Sequence, residues 1–151
     1  MSWINEVEQW LTANRKESLH HDDGVLVMAF VVNKDDDPVH VKLRIVEEED
    51  GFVLHLTVVE LWAHDTPYAD LLLKALMALN GMFQFGRWGC AYGVLTYDIP
   101  HYGTKDLNTF LYLFHLLEGQ ARMSLGGLAY IAKTGEFPDD FVQHEALCYC
   151  E

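Results

Sequence analysis

The stretch VHVKLRIV, residues 39–46, alternates without a break, with Val39, Val41, Leu43 and Ile45 on one side and His40, Lys42 and Arg44 on the other. A helix repeats its faces about every 3.6 residues, so a period of two demands a strand with one side against a core. The acidic run EEEDG follows, and FVLHLTVVEL resumes an alternating pattern. A two-residue type I′ turn at Asp50-Gly51 is expected to set Ile45 opposite Leu56 and Leu43 opposite Val58. The other face of that hairpin then carries Arg44 by Thr57 and Val46 by His55, with Val53, Val59 and Leu61 beside them. It is half apolar. Either the chain's own helices cover it, the commoner arrangement in soluble domains, or something else does.

The elements around this hairpin follow from periodicity and punctuation. Ser2 to Leu19 has Ile4, Val7, Trp10 and Leu11 at helical spacing, with Ser2 placed to cap and Glu6 and Glu8 near the positive end of the dipole. HHDDG breaks it. Val25 to Val32 is an unbroken apolar run, the pattern of a strand covered on both faces, and NKDDDP is the turn after it. In AHDTPYADLLLKALMALNG, Thr66 is the expected N-cap, Pro67 the first helical residue and Asn80-Gly81 the stop, with Leu72, Ala75, Leu76 and Leu79 as the buried stripe. Thr104 is placed to cap a last helix whose Leu107, Phe110, Leu111, Phe114, Leu117 and Ala121 recur at spacings of three and four. Gly126-Gly127 is expected to bend or interrupt it.

Between the last two helices lies QFGRWGCAYGVLTYDIP, whose Gly86, Gly89 and Gly93 raise the question of a phosphate loop. Such a loop needs its glycines between a strand and a helix N-terminus, so that backbone amides and the dipole converge on the anion. Here the order is helix, glycines, strand, and no Lys-Ser or Lys-Thr pair follows. Two antiparallel strands, Phe83 to Ala91 and Gly93 to Ile99, account for the glycines as relief of crowding.

Composition narrows the function. A chain of 151 residues, 50% hydrophobic and 22% charged, has the size and balance of one globular domain. Ten basic against 23 acidic side chains give a formal charge of -13, which repels nucleic acid and anionic lipid. The apolar stretch from Leu71 to Phe85 is interrupted by Lys74, Asn80 and Gly81, so no membrane span is expected. The first residues carry acids where a secretory signal would be basic, and the three cysteines, Cys90, Cys148 and Cys150, fit free thiols in a reducing compartment. The expected location is cytoplasmic.

The expected architecture is therefore α+β: a single antiparallel sheet of about five strands with helices on one face, in the order α-β-β-β-α-β-β-α, over residues 1–135, with 136–151 as an acidic C-terminal tail. In the run ALMALNGMFQFGRWGC, joined to VLTYDIP and then LNTFLYLFHLL, the chain resembles the type III secretion chaperone-like fold and, within it, the YbjN or sensory-transduction-regulator type of domain. The resemblance covers about residues 2 to 131. Two features depart from it: the turn around Ala91 to Gly93 lacks an acidic Asp-Gly type insertion, and the tail after Gly135 has no counterpart. The resemblance implies a non-enzymatic protein, often a homodimer, that holds a polypeptide client through its sheet and helical surfaces, with no cofactor and no catalytic residues. Val46, Val53, Val59, Leu61 and Trp62 are the candidate contact residues.

Other constellations compete with that reading. His144, Cys148 and Cys150 in QHEALCYC are three metal-ligand types, the basis of an alternative in which the protein is a metal- or small-ligand-responsive regulator. HHDD at His20 to Asp23 has ligand types too, but neighbouring residues point apart and a solvated turn is the simpler account. Cys90, His101 and Asp98 are close in sequence without a flanking nucleophile signature. Tyr97, His101 and Tyr102 are candidates to line a pocket, and Arg87 to stack on a ring or meet a carboxylate, although aromatics at a strand end more often close a core.

Overall fold

A computed structural model describes residues 2–33, 38–59, 65–82, 86–91 and 94–138. Helix α1 spans Trp3–Asn14, and the Asn5 N–H donates to the hydroxyl of its cap, Ser2, at 3.4 Å. It ends five residues before the point its apolar spacing suggests. Arg15 leaves the helix in extended conformation, and Ser18–Asp22 forms an additional strand, β1. The cause is the turn that follows: Asp23 and Gly24 have φ of 41° and 76°, the left-handed pair of a type I′ hairpin, which folds β1 back on β2, Val25–Val32. Backbone pairing along five residues outweighs another turn of helix.

Strands β3, Val39–Glu48, and β4, Gly51–Val58, form the expected hairpin, but Glu48 lies opposite Gly51, so the turn is Glu49-Asp50. Ile45 consequently faces Leu54 and Leu43 faces Leu56, a register two residues from the one expected. An even shift leaves every side chain on its expected face. Gly51 is required by close approach rather than by the turn, because a Cβ there would overlap the carbonyl oxygen of His101.

Helix α2, Ala69–Met82, leads to β5, Arg87–Ala91, and β6, Val94–Tyr102. Its Asn80 does not stop it. Instead the Asn80 amide donates to the Trp88 carbonyl at 2.8 Å and accepts the Trp88 N–H at 2.6 Å, occupying backbone groups of an edge strand. Helix α3, Leu107–Thr134, is capped by Asp106, not Thr104, and passes through Gly126-Gly127 unbroken to a left-handed Gly135. Gly126 makes room for Asn33, whose amide nitrogen would lie 2.9 Å from a Cβ. Tertiary fit thus offsets a helix cost of about 1 kcal/mol.

The six strands form one antiparallel sheet in the order β1-β2-β3-β4-β6-β5. The α+β class and single antiparallel sheet stand; the count is six strands rather than five, with four before α2. Leu26, Met28, Leu43, Ile45, Leu54, Leu56, Tyr97 and Ile99 from one sheet face join Val7, Leu76, Phe114 and Leu117 from the three helices in a single core. Trp3 stacks on Phe52 with centroids 4.6 Å apart and donates its indole N–H to the Asp106 carbonyl at 3.2 Å, tying α1 to the start of α3.

Candidate docking face

All described helices pack on that inner face. On the outer face, no described residue with a side chain is buried. Strand β2, expected to be covered on both sides, is covered on one: Leu26, Met28 and Val32 are buried while Val25, Val27 and Val31 keep contact with water. The continuous apolar run misled because three of its valines belong to this open face.

Cross-strand register arranges the outer face in rows. The first sets Val25 opposite Val46, Val46 opposite Val53 and Val53 opposite Pro100, an apolar band across four strands. The second runs through all six strands as His20, Val27, Arg44, His55, Asp98 and Arg87. Within it the His55 ring Nδ1 meets an Asp98 carboxylate oxygen in a close pair. The third places Ala29, Lys42, Thr57 and Thr96 side by side. The fourth returns to apolar residues: Val31 is opposite His40, and the Val59 N–H donates to the His40 carbonyl at 2.8 Å. Neither Lys42 nor Arg44 has an ion-pair partner among the described residues. In a chain of net charge -13, the centre of this face is basic.

Three of the expected contact residues, Val46, Val53 and Val59, therefore lie on the open face, the first two directly paired. Leu61 and Trp62 lie outside the described residues, as do His144, Cys148 and Cys150. Val25, Val27 and Pro100 belong to the same face and were missed. The available signal was their pairing: a valine run beside a strand whose alternate residues are His40, Lys42 and Arg44 must share that strand's exposed side.

The remaining constellations are dispersed. Asp98 lies on the outer face and His101 on the inner, where it sits 5.0 Å from the Phe52 ring, while Cys90 on β5 faces Leu95. Tyr97 is buried against Trp88 at 4.7 Å, and burial pushes its hydroxyl up to about 12, whereas Tyr102 is exposed, so they do not line one pocket. His20 and His21 point to opposite sides of β1, the latter 3.0 Å from Glu8. Among the described residues no group of three or more His, Cys, Asp or Glu side chains could hold a metal ion. Of the paired extended segments expected around the glycines, β5 and β6 are present; residues 83–85 and Gly93 lie outside the described residues. A side chain at Gly86, φ 86°, would strike the Tyr97 ring.

Two shallow grooves of about 490 and 580 Å³ flank Arg15 where β1 parts from β2. The guanidinium between them is already engaged: it donates to Glu118 at 2.9 and 2.8 Å and to Glu17 at 2.6 Å, and lies 5.2 Å from the Phe114 ring centroid. Its hydrogen bond to Glu118 holds its pKa above the ordinary arginine value, and Arg15 in turn holds the Glu17 carboxyl below the usual 4.5. Such a network ties α1 to α3 and commits most of the guanidinium's donors to structure. No described helix is long and apolar enough to cross a membrane. No family model, curated protein or solved structure matches the chain.

Proposed function

We propose that this protein is a non-enzymatic interaction protein that holds a polypeptide partner against the outer face of its sheet. The observation that carries the reading is the open face itself: Val46 and Val53 pair beside Val25 and Pro100, with no described element over them. A contiguous apolar band beside charged groups is what a protein interface core and its rim require. The resemblance of the glycine-rich strand pair and last helix to secretion chaperone-like and YbjN-type domains points the same way. A homodimer, expected from that resemblance, is better accommodated elsewhere, because a two-fold contact here would bring Arg44 and Lys42 towards their own copies.

The test is a photo-crosslinker placed in the full chain at Thr57, at the centre of the face, or at Met123, 72% exposed on α3. Adducts to one polypeptide segment from Thr57 and not from Met123, with binding of that isolated segment lost on Val53→Asp while the circular dichroism is unchanged, support the reading. Equal adducts from both positions, or adducts only between copies of the chain, overturn it.

A further inference from the structure

The row order on the outer face specifies more than a generic partner. Along β3 the outer-face residues read Val46, Arg44, Lys42, His40, and the rows they head are apolar, basic, basic and apolar, the last through Val31 and Val59. Successive rows are two residues apart along the strand, about 6.8 Å. Facing side chains of an extended polypeptide repeat at the same interval. A segment lying at the roughly 30° angle of aligned sheets thus sets consecutive facing residues on consecutive rows.

Building on the docking reading, we propose that the partner is an extended acidic segment whose facing residues run apolar, acidic, acidic, apolar, seated over β2, β3 and β4. Its carboxylates meet Arg44 and Lys42, which have no ion-pair partner among the described residues and stand at the centre of the face, whereas Arg87, likewise without one, lies at its far edge on β5. Its outer apolar residues meet the Val25–Val46–Val53 band and the Val31–Val59 end.

The chain's overall charge of -13 does not forbid this. At physiological salt the screening length is about 8 Å, whereas the helical layer that carries Glu6, Glu8 and Asp70 lies behind the sheet, a layer spacing of about 10 Å. Among the described residues the acids nearer the face are at its turn end: Glu48 lies beyond the first apolar row, and Asp22 closes that row on the edge strand β1, opposite Val25 and outside the three strands the segment covers. Asp98 is engaged by His55. A nucleic acid fits less well, because the described residues of the four rows include no Phe, Tyr or Trp on which bases could stack.

The proposal is tested by titrating the isotope-labelled full chain with acetyl-Val-Thr-Glu-Thr-Glu-Thr-Val-amide, with its Gln-for-Glu and Lys-for-Glu analogues, and with a single-stranded oligonucleotide, while following backbone amide resonances. The Glu peptide is expected to shift amides of β2, β3 and β4, to bind at least about fivefold tighter than the Gln peptide, and to weaken as salt rises. The double variant Lys42→Glu/Arg44→Glu should lose that preference, and Lys42→Gln/Arg44→Gln should reduce it, each with the remaining spectrum intact. Equal binding of Glu and Gln peptides at these strands overturns the acidic assignment and leaves the docking reading standing. Preferential binding of the Lys peptide or the oligonucleotide, or no shift on these strands with any peptide, overturns the proposal; the crosslinking result then decides the docking reading separately.

Discussion

The two faces of the sheet share one backbone and much the same apolar vocabulary, yet they are closed in different ways. On β4, Phe52, Leu54 and Leu56 are completely buried, while Val53, His55 and Thr57 between them are only half-buried. The inner residues are covered by helices that meet them with further apolar groups, Trp3 and Phe110 on Phe52 among them. Among the described residues the outer valines have only their row neighbours, one another in the Val25–Val46–Val53 band and alkyl stems such as that of Arg44 beside Val27. That difference shows why one valine is structure and its neighbour is available surface: what covers a residue decides its role, not its own hydrophobicity.

The strongest way to break this comparison is to truncate adjacent residues of β4. Phe52→Ala removes a ring stacked on Trp3 and edge-on to Phe110 at 6.4 Å, and should cost about 3–5 kcal/mol in urea unfolding. Val53→Ala, one residue along, should cost under about 1 kcal/mol. Similar losses at the two positions would mean that the outer face is as closed as the inner one.

A sharper cut compares the two Asp-Gly pairs. Gly51→Ala should cost about 1–3 kcal/mol, because its Cβ meets the His101 backbone and the β4–β6 seam must shift. Gly24→Ala faces open space and only the strain of φ 76°, about 1 kcal/mol. Thermal unfolding of the two variants gives the ranking, and the reverse order would show that the turn, not the seam, depends on its glycine.

Those two pairs also explain how much was legible in the sequence. The alternation at Val39 to Ile45 identified the strand and its inward face, and the capping and spacing of Ser2, Leu76 and Phe114 located three helices, because local pattern and tertiary environment agree there. Asp50-Gly51 looked like the hairpin turn, but its glycine answers a backbone neighbour about 50 residues away, which a local reading does not contain. Asp23-Gly24, read only as a break, was the true type I′ turn and brought an unforeseen strand with it. The open face was half legible: Val46 and Val53 followed from β3–β4 alternation, whereas Val25 and Val27 looked buried within a run that has no period of its own. Which helix covers which side is a property of assembly, and no single segment carries it.

The smallest effect separates what holds the helical layer from what the outer face leaves free. Arg15 keeps the Glu17 carboxyl ionised below its usual 4.5, so Glu17 adds stability that is complete above that value and disappears as pH falls through its lower folded value. Because Glu17 is partly exposed, the contribution should be about 0.5 kcal/mol. Glu17→Gln should therefore unfold at a slightly lower temperature than the parent at pH 7 and at the same temperature well below pH 4, with the two curves converging through that acid range. Arg44→Gln, a cation with no described partner to lose, should leave the melting temperature unchanged at both pH values. A melting-temperature change in Arg44→Gln as large as that in Glu17→Gln would place Arg44 in the structural network instead of on a surface kept open for another chain.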